Sequence, residues 1–352
     1  MSVSLHAAVL AGGMGMRFWP LSVPERPKQF LRLLGERTFL QATADRAAPL
    51  TGWDRIWVST SAPLADEAAR QLPNLNPDRF VVEPTGRNTL PCIALTFGAA
   101  RRSDPEAVAA ALPSDHRIAD APAFRSVLGA AGEIAERTGR AVLIGCAPTR
   151  PETGYGYIRF GGRAAEANGV EARQVLQFTE KPDRETAEEF LSSGEYLWNC
   201  GIFVWKASAF FEELWRRAPE IAGPIEEALE EPDRLDALYR ALPSVSIDKG
   251  LIEKMDGALV IPAEFGWDDI GSWSSVWSAL PHDADGNAAQ GRHTALDTRN
   301  CLIFSQNKPI VTLGVEALAV IETDEAVMVC PLDRSQDVRE LARLFYSQTN
   351  ND

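Results

Sequence analysis

The chain has 352 residues, 45% of them apolar, and a formal net charge of −14. That length suits one large α/β domain with a smaller companion, and the apolar share is enough for a full core. The charge excludes generic nucleic-acid binding, which needs a basic face, but leaves room for a local Arg/Lys pocket around a small anion.

The five cysteines, Cys92, Cys146, Cys200, Cys301 and Cys330, form no C-x-x-C pair and no metal-ligand spacing. They read as small buried hydrophobes in a reducing compartment. The start "MSVSLHAAVLAGG" lacks a basic region and a signal-length apolar core, and no run approaches the ~20 apolar residues of a spanning helix. The expected location is the cytoplasm, with no membrane partner.

In chain order, "HAAVLA" predicts a strand, followed by a glycine loop and a helix around "TFLQATADRAA". "RIWVST", "RFVVEP", "AVAAALPSDH" and "AVLIGCA" repeat the strand theme, with helical patterns between them. This rhythm predicts βαβ units and a mostly parallel sheet, with ligands gathered at the carboxyl ends of its strands. From about Thr149 the pattern changes. "YGYIRFGG", "QVLQFTEKP" and "WNCGIFVWK" predict strands of an insertion that lays a second wall against the nucleotide half. After about Pro281, short closely spaced strands predict a small β appendage closed by a helix at "SQDVRELARLFYSQ".

The first chemistry-bearing stretch is "LAGGMGMRFWPLSVPERPKQF". It lacks the Lys-Ser/Thr of a P-loop, and Phe18 stands where a dinucleotide loop has its third glycine. What remains, Gly12-Gly13-x-Gly15-x-Arg17, is either a tight turn or an anion cradle with a guanidinium beside it. Lys28 is either a solvated lysine or the second half of a triphosphate clamp. In "VVEPTGRNTLPC", Asn88 or Thr89 can cap the next helix, while Glu83 could accept the paired N–H donors of guanine. Asp115 in "LPSDH" is an Asx-turn or a hard-oxygen ligand for Mg²⁺. One of Asp268 and Asp269 in "EFGWDDIGSW" is expected to cap the helix near Gly271, leaving the other for a metal. Gly154, Glu180, Lys181 and Asn199 offer sugar and phosphate contacts, each weak alone. No H-E-x-x-H, nucleophile elbow or nucleophilic cysteine context is present.

Together, "LAGGMGMRFWPLSVPERPKQF", "VVEPTGRNTLPCIAL", "LPSDH", "FTEKP", "WNCGIFVW", "SIDKGLIEK" and "FGWDDIGSW" resemble the mannose-1-phosphate guanylyltransferases, across residues 6 to 280. The resemblance implies a Rossmann-like three-layer nucleotidyltransferase domain with a mixed, mostly parallel sheet over residues 1–285. Its nucleotide half would span about 1–148 and its sugar-phosphate half about 149–285. A small, β-helix-like domain would occupy 286–352. It implies GTP and α-D-mannose 1-phosphate as substrates, GDP-mannose and diphosphate as products, and Mg²⁺ as cofactor. By position, Leu10, Gly12, Gly13, Gly15, Glu83, Gly86 and Asn88 would bind the nucleotide. Gly154, Glu180 and Asn199 would bind the sugar; Arg17, Lys28, Asp115, Lys181 and Asp269 would act in catalysis, with Asp115 and Asp269 on the metal.

Some positions depart from the family. Met14 and Met16 replace the usual Ser and Thr, Leu90 and Cys92 stand where alanines are common, and Lys249 replaces an aromatic. Longer members carry an isomerase domain, for which too few residues follow here, so no isomerase activity is expected. The alternatives are the same fold with another nucleotide or hexose 1-phosphate, or a non-catalytic sensor of GDP-mannose. The β appendage offers a self-association surface for a homodimer.

Overall fold

The structure, a computed structural model, describes residues 3–13 and 17–349. Met14, Gly15 and Met16, singled out above, lie outside the described residues. The chain divides into two compact units, one of Met1–Gly12, Leu40–Ser114 and Ile118–Trp267, the other of Gly13–Phe39, Asp115–Arg117 and Asp268–Asp352.

In the larger unit, β1 (Leu5–Leu10), β2 (Ile56–Ser61), β3 (Phe80–Glu83) and β4 (Val108–Pro113) pair in parallel, as the βαβ reading requires. β1, β2 and β4 are almost wholly buried, which is why they read as unbroken apolar runs rather than as alternation. The short strands β5 (Arg117–Ile118) and, later, β11 (Trp267–Asp268) lie where the chain passes between units. β6 (Val142–Cys146), β7 (Gly156–Ala167), β8 (Val170–Glu180), β9 (Tyr196–Lys206) and β10 (Leu259–Pro262) complete a sheet ordered β3-β2-β1-β4-β9-β6-β10-β8-β7. The sheet is mixed. β9 pairs antiparallel with both β4 and β6, so "WNCGIFVWK" is a central strand and no part of a second wall.

The helices of this unit are α1 (Phe39–Thr51, which begins in the other unit), α2 (Ala65–Gln71), α3 (Thr89–Ser103), α4 (Ala121–Thr138), α5 (Arg184–Ser193), α6 (Ala207–Arg217), α7 (Pro219–Glu230), α8 (Leu235–Ala241) and α9 (Ile247–Gly250). α3 packs on β1 to β4 and against α6 and α7, and is apolar nearly all round, as a helix between layers must be. Its Leu90 is fully buried; a Cβ on Gly250 would come within 2.5 Å of the Leu90 side chain. The glycine in α9 thus makes room for the leucine. α4 starts at Asp120, whose carboxylate accepts from the Ala123 amide, and stops at the left-handed Gly139.

The smaller unit contains α10 (Trp273–Ala279) and the strands β12 (Ala288–Gln290), β13 (His293–Leu296), β14 (Leu302–Ser305), β15 (Ile310–Leu313), β16 (Leu318–Glu322) and β17 (Val327–Pro331). It closes with α11 (Val338–Thr349). β12, β14 and β16 stack in parallel, as do β13 and β15, in the manner of β-helix coils. Its core draws Phe18, Trp19, Leu21, Leu31 and Leu33 together with Trp273, Leu302, Ile321 and Ala342. Fully burying a side chain such as Phe18 contributes about 1.5–3 kcal/mol. The segment that follows the glycine loop is therefore anchored among the C-terminal strands.

Candidate active site

Within the smaller unit, a cavity of about 610 Å³ is lined by Arg17, Lys28, Asp115, His116, Asp269 and Gly271, with Arg339 and Arg343 from α11. Lys28 sits in a single 3-10 turn after Pro27, with its side chain buried near the rings of Phe18 and Phe39. Its ammonium donates to the Asp115 carboxylate at 3.0 Å and to the Asp269 carbonyl at 2.5 Å. Burial alone would raise the Asp115 carboxyl, but the charges of Lys28 and His116 outweigh it and hold the group below its ordinary range. A Cβ on Gly271 would lie 3.1 Å from an Asp269 carboxylate oxygen and 3.6 Å from the Arg17 guanidinium. That glycine leaves the two charged groups their space. The Gln29 amide donates to the Gly13 carbonyl at 2.9 Å and fixes the end of the glycine loop.

The expected aspartate cap is not present. Ser272 caps α10, and Asp268 accepts instead from the Ile270 amide at 2.7 Å. Ile270 itself has φ +44°, a costly conformation for a β-branched residue, immediately after Asp269.

The larger unit carries two further clusters. In the first, Glu83 at the end of β3 is 4% exposed. Ser59 donates to its Oε1 at 3.2 Å and Tyr239 to its Oε2 at 2.6 Å. Cys92 donates in turn to Ser59 at 3.1 Å. Burial pushes the Glu83 carboxyl up, against the pull of these hydrogen bonds. The Glu83 carboxylate is thus covered, and each of its oxygens accepts one hydrogen bond. Gly12 belongs to the same packing, since a Cβ there would stand 3.0 Å from Glu83 Oε1. Asn88 is the helix cap expected of it or Thr89. Its side-chain oxygen caps α3 from a left-handed backbone (φ +66°), while its neighbour Gly86 is exposed. The Leu10 carbonyl is occupied by the amide and hydroxyl of Ser114.

In the second cluster, β7 and β8 align Gly156 with Glu180, and a Cβ on Gly156 would come 2.8 Å from the Glu180 carboxylate. Lys181 pairs with Glu180 while remaining largely exposed itself. The Asn199 amide donates to Asp248 at 3.1 Å. Gly154 stays exposed, its amide turned to Glu152. Asp248 joins this cluster without having been singled out in the sequence, although it lies within the motif "SIDKGLIEK". Burial, then the nearby Glu180 charge, pushes its carboxyl up to about 6. α9 holds it in place, because Ser246 caps the helix and the Ile247 amide donates to Thr89 at the start of α3.

Among the described residues, no group of three or more His, Cys, Asp or Glu is placed to hold a metal, and no helix is long and apolar enough to cross a membrane.

A mixed sheet carrying a glycine loop, in a chain that also forms a cation-rich cavity with two carboxylates, defines a nucleotide-handling transferase. The model of the family described as "Nucleotidyl transferase" matches residues 6–286, and one described as "MannoseP isomerase/GMP-like beta-helix domain" matches 291–344. The xanthan biosynthesis protein XanB of Xanthomonas campestris pv. campestris is 41% identical over 95% of this chain and 71% of its own length. A mannose-1-phosphate guanylyltransferase of Escherichia coli K12 is 39% identical over 96% and 72% respectively. A crystal structure described as a mannose-1-phosphate geranyltransferase from Thermus thermophilus superposes with a TM-score of 0.88 at 35% identity, covering 97% of this chain and 99% of that one. The chain belongs to the mannose-1-phosphate guanylyltransferase family of nucleotidyltransferases.

Proposed function

We propose that the protein converts GTP and α-D-mannose 1-phosphate to GDP-mannose and diphosphate. The observation that carries this reading is the convergence of Arg17, Lys28, Asp115 and Asp269 on one cavity, in a chain of this family. The choice of GTP and mannose is supported by the activity in the E. coli relative's name. A sugar-phosphate oxygen attacks the α-phosphorus, and the bond from that phosphorus to the bridging oxygen of the departing diphosphate breaks. The attacking phosphate is ionised at neutral pH, so no general base is needed. Arg17 and Lys28 offset the charge that builds on the leaving group.

Asp115 and Asp269 fit Mg²⁺ by donor chemistry, as two hard carboxylates on one cavity, the first kept ionised by Lys28. When bound there, the ion would neutralise phosphate charge. Glu180, Asn199 and Asp248 serve the mannose hydroxyls, and Lys181 its phosphate. The nucleotide contacts of Leu10, Gly12, Gly13, Gly15, Gly86 and Asn88 are backbone contacts in this reading. The reaction belongs to residues 1–285, with 286–352 as the β-rich domain. A sensor without activity would not need the full charged set, and Arg17, Lys28, Asp115, Lys181 and Asp269 are all present. Exposed Val311, Leu313, Val327 and Val329 on β15 and β17 suit a homodimer, and light scattering that finds only monomer would reject it. Five free thiols suit the reducing cytoplasm.

The deciding experiment measures diphosphate release across nucleoside triphosphates and sugar 1-phosphates, with and without Mg²⁺. Equal rates with ATP and GTP, or with glucose 1-phosphate and mannose 1-phosphate, defeat the specificity claimed. No release with any pair defeats the reading itself.

A further inference from the structure

The cavity of the smaller unit holds more positive charge than the clamp described so far. Arg339 and Arg343 of α11 line it beside Arg17 and Lys28. Four residues apart, they lie on one face of the helix. Val338 and Ala342 on another face are buried in the core, and Phe345 packs on Trp19 with ring centroids 5.1 Å apart. The turn before the helix is tied to α10 by Ser335, whose hydroxyl accepts from the Ser274 amide at 3.2 Å. α11 is thus held with two guanidinium groups toward the cavity.

These groups are set apart by sharing one cavity, while many arginines elsewhere are spent on ion pairs. Arg101, Arg159, Arg217, Arg240 and Arg334 each pair with a carboxylate. Lys28 is already engaged by Asp115 and Asp269. Arg17, Arg339 and Arg343 make no ion pair or hydrogen bond among the described residues. On a chain of net charge −14, three uncompensated guanidinium groups around one cavity call for an anion with several charged oxygens.

We propose that Arg339 and Arg343 bind the diphosphate portion of the nucleoside triphosphate and the free diphosphate product, so that the C-terminal helix completes the phosphate clamp. The assignment rests on the guanylyltransferase reading for the identity of the anion. It gives the β-rich domain a direct part in handling substrate. The leaving group then meets a cationic set drawn from both ends of the chain, Arg17 and Lys28 near the start, Arg339 and Arg343 near the end.

The test compares the full-length protein with R339A/R343A and R339K/R343K. Titration calorimetry measures inorganic pyrophosphate and GDP-mannose separately, and initial rates give KM for GTP. The double alanine variant is expected to weaken pyrophosphate at least ~10-fold, the scale of a lost charge-assisted contact, and to raise KM for GTP similarly. GDP-mannose, which lacks the departing diphosphate, should bind within ~2-fold of wild type, and lysines should restore part of the loss. Both arginines are exposed, so an unchanged thermal midpoint is expected to accompany these shifts. If wild type makes GDP-mannose and the alanine variant binds pyrophosphate normally, this proposal falls while the activity stands. An equal loss for pyrophosphate and GDP-mannose also overturns it. If wild type makes no GDP-mannose yet pyrophosphate binding still needs the arginines, the anion site stands and the parent reading falls.

Discussion

The Glu83 cluster of the larger unit and the Lys28 cavity of the smaller one use the same kinds of polar side chain and end in opposite states. Around Glu83 each carboxylate oxygen has a donor, and the group is shut from solvent. Around Lys28 a single ammonium serves one carboxylate, that of Asp115, and the Asp269 carbonyl, while the neighbouring guanidinium groups have no partner among the described residues. A closed network rigidifies its surroundings, whereas an unsatisfied one has binding capacity left for a ligand. The first is read as scaffold and the second as the reaction site. Breaking each in turn tests that division.

The largest effect is expected from Lys28→Met. Methionine fits the slot beside Phe18 and Phe39 but removes the charge paired with Asp115 and the donor to the Asp269 carbonyl. Turnover should fall on the order of 10²–10³-fold, the cost of losing one preorganised charge at a reacting phosphate. Circular dichroism and the thermal midpoint should show a folded protein. A loss under ~10-fold would remove this cavity from the chemistry.

Much of this division is legible in the sequence, and the failures have physical causes. The parallel strands announce themselves because both of their faces are covered. β9 does not, since apolar and polar positions mix through "YLWNC" before the buried "IFVW" run begins, and its first half resembles a half-exposed strand. Loop chemistry points to Asp115, Asp269 and Lys28, but only tertiary structure gathers them. No sequence pattern shows that Tyr239 and Ser59 will donate to the oxygens of Glu83. Arg339 and Arg343 look in sequence like the solvated face of an amphipathic helix. What distinguishes them is their place on the cavity of Arg17 and Lys28, which sequence does not record.

A smaller effect is expected from Tyr239→Phe. The ring is buried at 1% exposure and would stay so, while Glu83 Oε2 would lose its donor. Chemical denaturation should show a loss of about 2 kcal/mol, within the range for hydrogen bonds to a charged group. The Glu83 carboxyl, already raised by burial, should titrate higher still. A change below ~0.5 kcal/mol would mean that Glu83 does not depend on this network, and would reopen it as a ligand contact.

The smallest effect concerns Asp248, which lies between the two states. Its partner Asn199 is neutral, Glu180 repels it, and its carboxyl is pushed up to about 6. The folded chain therefore holds this proton at a pH where the unfolded chain has released it. The resulting stability is fully present below the ordinary aspartate range and is lost as pH rises through about 6. Asp248→Asn keeps the oxygen facing Asn199 and removes the repulsion. It should stabilise the free protein on the order of 1 kcal/mol at pH 7.5, with the gain vanishing near pH 4. If the charged form accepts a mannose hydroxyl, sugar binding offsets the repulsion and releases a proton near pH 6. KM for mannose 1-phosphate should then rise as pH falls through about 6 in wild type, and be higher but flat in Asp248→Asn. A variant more stable at pH 7.5 with an unchanged KM would leave Asp248 a structural carboxylate and remove it from the sugar site.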